Sequence, residues 1–278
     1  MVTKYGVIMP KRCGLALSRW IVKAYNLDDF NLFIIHGTPR IGKSAYAIKA
    51  MGQVIEYFWG EDIFELAGST SESIRAPHCQ KYLGWDPNDC VDAWLDILDR
   101  IPGFIWDDAG YWLFSLNWTD PLLIAVQKYM NVVGTDMNNM MLTTPDPEWI
   151  LSKIATMPGT MRIKIIKRDG GKGDSDSRVF SRRALGYVPW KYPDLKGGGV
   201  NKKIEDDFSC KLPEPFYSKW YKPTRERYAK VAKLEMRKEL IARRLKATKK
   251  EQAERKRSPG KPRKYEVTPE MVLAAQID

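Results

Sequence analysis

The sequence predicts an α/β fold, a mostly parallel sheet sandwiched by helices, followed by a basic helical C-terminal extension. Three observations carry this reading. Short apolar runs alternate with stretches of helical periodicity between about residues 30 and 166, and strands joined by helices pair in parallel with both faces covered. The first apolar run, Leu32-Phe33-Ile34-Ile35, is followed by Gly37-Thr38-Pro39-Arg40-Ile41-Gly42-Lys43-Ser44 and then by a long helical pattern. A later run, Phe104-Ile105-Trp106, leads straight into Asp107-Asp108.

Taken in order, residues 14–26 read as a short helix leading into the first strand. The helix after the glycine loop runs from Lys43 to about Trp59, with Ala47, Ile48, Met51, Val54, Ile55 and Phe58 on its apolar face. Residues 60–88 are turn-rich around Ala67-Gly68-Ser69-Thr70-Ser71, with an edge strand expected near Ile63-Phe64-Glu65-Leu66. Asn88-Asp89 can cap a helix over Val91, Trp94, Leu95, Ile97 and Leu98, which Pro102-Gly103 ends. A helix over roughly 119–134 has Asp120 and Pro121 in its first turn, and a strand at Met140-Met141-Leu142-Thr143-Thr144 is stopped by Pro145. Met161–Ile166 alternates as a strand, and the polar turn 169–174 makes a hairpin with Ser177–Ala184 its expected continuation. Lys196-Gly197-Gly198-Gly199 reads as a flexible joint, and from Pro213 the chain is helical and charged until Ser258-Pro259-Gly260. The expected division is a domain over 1–212 and an extension over 213–278.

The pattern G-x-x-x-x-G-K-S at 37–44, between a strand and a helix, has the form of a phosphate-binding loop. Its glycines let backbone N–H groups curl around phosphates, and the helix N-terminus adds positive dipole. On this reading Gly37, Thr38, Pro39, Arg40, Ile41, Gly42, Lys43 and Ser44 bind ATP. Lys43 supplies a cation to the phosphate oxygens, and the Ser44 hydroxyl ligates the accompanying Mg2+.

Asp107 and Asp108 stand 64 and 65 residues beyond Lys43 at a strand end. The first carboxylate would hold the metal, and the second would orient or deprotonate an attacking water. The strand ending in Thr143-Thr144 is expected between the loop strand and the acidic strand. A threonine hydroxyl there can sense the γ-phosphate, and Thr144, nearer the strand end, is preferred over Thr143. Arg162, Arg168, Arg182 and Arg183 are equal candidates for an arginine finger.

With 278 residues the chain has room for one α/β core and an appendage. No stretch approaches the roughly 18–20 apolar residues of a membrane span, and the N-terminus has no uninterrupted apolar region like a signal peptide. The expected location is therefore cytoplasmic. Four cysteines lack paired spacing and read as reduced thiols.

The net charge of +11 is unevenly placed. Of 45 Lys/Arg and 34 Asp/Glu, 18 and 5 fall between Lys222 and Lys264, a local net of +13, so the remainder is at −2. Such asymmetry points to nucleic acid, probed with low sequence specificity. In a helix from Thr224 to Arg257, Val231, Leu234, Ile241 and Leu245 share one stripe, and Lys230, Lys233, Arg237 and Arg244 line a neighbouring one. The apolar stripe could dock on the globule or on a second subunit. Beyond it, Lys261, Arg263 and Lys264 lie in a Pro-Gly-Lys-Pro-Arg-Lys arm of the kind that enters a minor groove.

His36–Ser44, Phe104-Ile-Trp-Asp-Asp-Ala-Gly-Tyr-Trp112, Leu142-Thr-Thr-Pro-Asp-Pro147 and Lys211-Leu-Pro-Glu-Pro-Phe-Tyr-Ser-Lys-Trp220 together resemble, in the same order, the DnaA-like ATPases encoded by spindle-shaped archaeal viruses (fuselloviruses) and related plasmids. The resemblance covers about residues 30–225. It implies an ASCE-type, AAA+-like P-loop NTPase fold, a homo-oligomer, a role in viral or plasmid DNA replication or maintenance, and the host cytoplasm as the site of action. The composition leaves other functions open: a motor that translocates or packages DNA, a small-molecule kinase, or a nucleotide-gated DNA-binding protein with negligible turnover. The basic tail and the paired carboxylates weigh against the kinase.

Overall fold

The computed structural model describes residues 13–60, 79–168, 181–191, 198–214 and 216–257. The expected strand at 63–66 and the arm residues Lys261, Arg263 and Lys264 lie outside these ranges. The described residues form two compact units, one up to Tyr228 and one from Ala229 on. Residues 213–228, read from sequence with the extension, belong to the first.

Chain order gives helix α1 (Ala16–Leu27), strand β1 (Asn31–His36), helix α2 (Lys43–Trp59), β2 (Leu83–Gly84), α3 (Pro87–Leu95), β3 (Phe104–Trp106), α4 (Ala109–Trp112) and α5 (Pro121–Tyr129). These are followed by β4 (Asn139–Thr144), α6 (Ser152–Ala155), β5 (Met161–Lys167), β6 (Arg182–Lys191), β7 (Gly198–Phe208) and, after a π-helical turn at Phe216–Tyr221, α7 (Lys222–Arg257). The seven strands make one sheet in the order β2-β3-β4-β1-β5-β6-β7. The five strands from β2 to β5 are parallel, and β6 and β7 extend them as an antiparallel pair.

Burial explains this split. Every residue of β4 and Leu32–Ile35 of β1 are buried. Since neighbouring side chains point to opposite faces, these strands are covered on both sides. In β5, Met161, Ile163 and Ile165 are buried while Arg162, Lys164 and Ile166 are not. The sheet therefore becomes one-sided where the antiparallel strands begin. Helices α1 and α2 pack on each other and on β4; α2 also packs on β1, and α1 reaches β7.

Asp206 of β7 caps the N-terminus of α1, accepting from the Ala16 N–H at 2.7 Å and the Leu17 N–H at 3.2 Å. A carboxylate there satisfies free N–H groups and opposes the helix dipole. The buried Tyr46 hydroxyl of α2 donates to the same carboxylate at 2.6 Å, so one side chain ties the last strand to both helices. Burial, then the neighbouring Asp206, pushes the Tyr46 phenol well above its ordinary pKa.

Several local expectations are corrected. The cap of α3 is Asp86, whose carboxylate accepts from Asn88 N–H at 2.8 Å with Pro87 in the first turn; Asn88 and Asp89 lie inside the helix. That helix ends at Leu95 because Leu95 and Leu98 are solvent-exposed and offer no face to bury. The helix expected over 119–134 is capped by Asp120, stops at Tyr129, and is followed by a 3-10 turn at Val133–Thr135. Gly198 and Gly199 open a strand of 11 residues instead of a joint.

Candidate functional site

Parallel order places the carboxyl ends of β1, β4 and β3 side by side, with β4 in the middle as expected. The loop 37–44 leaves β1, and Asp107-Asp108 leaves β3. Ser44 Oγ donates to Asp107 Oδ1 at 2.7 Å, joining the two segments across the end of β4.

In the loop, Gly42 has φ 105°, a left-handed backbone that side chains resist. A Cβ there would also stand 2.8 Å from Cys210 Cβ. Helix α2 begins at the next residue, so its free N–H groups face the loop. Lys43 is buried in the loop, and its ammonium donates to the carbonyls of Gly37 at 3.0 Å and Thr38 at 3.2 Å. Burial lowers the Lys43 pKa, against the pull of Asp108 and Asp107. The buried Arg182 donates its Nε–H to Ile41 O at 3.0 Å and so braces the loop from β6.

Asp107 is fully buried and accepts four hydrogen bonds. Ser44 Oγ and Thr143 Oγ1, at 2.7 and 2.6 Å, donate to Oδ1, while Trp85 Nε1 and Tyr221 OH, at 3.1 and 2.8 Å, donate to Oδ2. Such a shell saturates the acceptor capacity of one carboxylate. Burial, then the Asp107 charge, raises the Tyr221 phenol well above its ordinary pKa, so it remains a donor.

Asp108 turns away through a left-handed backbone, φ 53°, a conformation aspartate tolerates at some cost. Its N–H donates to Thr143 Oγ1 at 2.8 Å. Its half-exposed carboxylate accepts from Arg225 Nε and Nη2 at 3.2 and 3.1 Å. Burial and the Asp107 charge raise the Asp108 pKa, opposed by Arg225 and Lys43.

The two threonines have different partners. Thr143 bridges Asp107 and Asp108, whereas Thr144 Oγ1 donates locally to Asp146 O at 2.8 Å. Gly110, the first-turn glycine of α4, explains the close fit of these segments. A Cβ on it would stand 2.2 Å from Thr144 Oγ1 and 3.0 Å from Thr144 Cβ. Gly110→Ala is therefore expected to lower unfolding free energy by about 1–3 kcal/mol. Thr144→Ala should recover part of that loss in the double variant, a coupling measurable by urea unfolding of the four proteins. Equal losses in the presence and absence of the Thr144 side chain would place the strain elsewhere.

Sequence reasoning missed Trp85, Tyr221 and Arg225. Of the arginines it weighed, Arg168 and Arg183 pair with Asp207. Arg182 holds the loop backbone, and Arg162 carries a buried Nε. The arginine at the acidic pair is Arg225. The candidate nucleic-acid residues Lys230, Lys233, Arg237 and Arg244 are all exposed on α7, as are Val231, Leu234, Ile241 and Leu245. The described cysteines form no disulfide, and no helix among the described residues is long and apolar enough to cross a membrane.

No protein-family model matches the chain, and no solved structure matches it. The chain is similar to "Uncharacterized protein B-251" of Sulfolobus spindle-shape virus 1, at 24% identity over 216 residues, covering 74% of this chain and 78% of that protein. The similarity links the chain to an archaeal spindle-shaped virus.

Proposed function

We propose that this chain is a DnaA-like P-loop ATPase that binds and hydrolyses ATP with magnesium in association with DNA, as a homo-oligomer, in viral or plasmid DNA replication or maintenance. The observation that carries the reading is the 2.7 Å contact between Ser44 and Asp107, which joins a glycine loop after β1 to an acidic strand end two strands away. A hydroxyl and a carboxylate in contact are hard oxygen donors of the kind magnesium takes. The adjoining loop offers an ammonium and a helix N-terminus to phosphate, so the donor set fits a magnesium nucleotide. Bound there, the magnesium nucleotide supplies the phosphoanhydride to be cleaved and part of the charge neutralisation.

The chain's own groups do the rest. Lys43 exchanges two carbonyl partners for phosphate oxygens. Ser44 and Asp107 hold the cation's side of the site, and Trp85 keeps the Asp107 carboxylate in place. Asp108, whose pKa burial raises, suits proton capture from an attacking water. Thr143 fixes the spacing between the two carboxylates.

DNA contact falls to α7, where an exposed basic stripe can neutralise a phosphate backbone without reading bases. Truncation after Tyr228 is expected to remove most DNA affinity while leaving nucleotide binding intact, because the described fold divides at that point. In the full chain, log K for duplex DNA should fall with log salt at roughly 0.9 per phosphate neutralised. Unchanged DNA binding by the truncated protein at moderate salt would remove α7 from the interface.

A second reading, a nucleotide-gated DNA-binding protein with negligible turnover, is favoured by one contact. Both oxygens of Asp108 are engaged by Arg225 instead of facing water. Phosphate release with and without single- and double-stranded DNA separates the two. Turnover that DNA stimulates supports the ATPase, a motor that translocates or packages DNA included; tight ATP binding without release supports the gate.

A further inference from the structure

The acidic pair is covered by residues from a segment more than a hundred positions away. Tyr221, from the π-helical turn, reaches Asp107 Oδ2 at 2.8 Å, and Arg225, from the first turn of α7, forks onto Asp108 at 3.1 and 3.2 Å. Aromatic packing seats the same segment. Tyr228 stacks on Trp85 with centroids 5.2 Å apart, Trp220 lies 5.8 Å from Trp85, and Phe216 stacks on Trp220 at 5.4 Å. Trp85 in turn donates to the Asp107 oxygen that Tyr221 uses.

We propose that Phe216–Tyr228 is a latch held shut on the acidic pair by Tyr221 and Arg225, and opened when a magnesium nucleotide enters. The proposal rests on the nucleotide-binding reading of the site. Two competitions drive the opening. Asp107 has no acceptor capacity left, so a cation drawn to it displaces a donor. Both oxygens of Asp108 are held by Arg225, so a water seated on Asp108 beside the phosphates competes with that ion pair. Arg225 and Asp108 both keep contact with solvent, whereas Tyr221 is buried, so Arg225 is the part that moves first. The root of the basic helix thereby reports whether the site is filled.

The test uses the full chain with a non-hydrolysable ATP analogue and magnesium. Hydrogen exchange of the 216–228 amides should rise when the parent protein binds the analogue. Arg225→Gln should show raised exchange without nucleotide and bind the analogue about threefold more tightly, as expected for removing a competing exposed ion pair. Tyr221→Phe, which keeps the ring packing, should shift affinity the same way. If the parent binds the analogue while exchange at 216–228 is unchanged or lower, or if neither variant binds more tightly, the latch is wrong and the nucleotide site stands. If neither the parent nor Arg225→Gln binds the analogue, both fail together.

Discussion

Lys43→Ala is expected to lower magnesium-ATP affinity by at least about 10²-fold, with little loss of stability. The ammonium is buried in the loop and bonded to two backbone carbonyls. On nucleotide binding it would exchange them for charge-assisted bonds to phosphate, each worth about 1.5–3 kcal/mol. Two such bonds account for the loss. The fold should tolerate the change because burial already lowers the Lys43 pKa, a sign that its charge costs the folded state more than the unfolded one. Calorimetric titration with ATP and magnesium, together with a thermal melt, checks both halves. A variant that binds as the parent does would move the phosphates away from this loop.

Asp107→Asn is the second large effect, and here the fold itself should suffer. Four donors converge on the carboxylate. An amide must turn its NH2 toward one pair. The indole of Trp85 can only donate, so the NH2 must face Ser44 and Thr143, whose hydroxyls have to rotate. Thr143 already accepts from the Asp108 N–H, and the bridge between the two carboxylates weakens. The expected cost is about 2–4 kcal/mol by urea unfolding. In nucleotide titrations the dependence of affinity on magnesium should disappear while a magnesium-independent remainder survives. Full parental stability in this variant would contradict the four-donor shell.

The parallel core was legible because its strands are nearly continuous apolar runs: Leu32–Ile35, Phe104–Trp106 and Met140–Leu142 have no solvent face to encode. That order put β4 between the loop and the acidic strand. Where a strand has an exposed face, charge hid it. In β7, the charged Lys202, Lys203, Glu205 and Asp207 surround the buried Ile204, Asp206 and Phe208, so no apolar run marked a strand after the glycines. β2, with two residues, is too short to show a period. The choice between Thr143 and Thr144 was beyond sequence for a simpler reason. Adjacent strand residues face opposite ways, and only the register of β4 on β3 decides which one meets Asp107. Tyr221 and Arg225 lie 114 and 117 residues from the carboxylates they hold; no local pattern marks a partner at that distance. A hint existed in the segment ending at Trp220, which carried the viral resemblance while having no role in the loop or the acidic pair.

The most direct test of the central claim is release of inorganic phosphate from ATP by the purified full chain, measured beside Asp108→Asn. The account predicts release that requires magnesium. It also predicts an Asp108→Asn protein that still binds magnesium-ATP and releases phosphate at least about 10²-fold more slowly, since the group that takes the proton from water is gone. Phosphate release at the parental rate from Asp108→Asn, or a parent protein that neither binds nor cleaves ATP in magnesium, would contradict it.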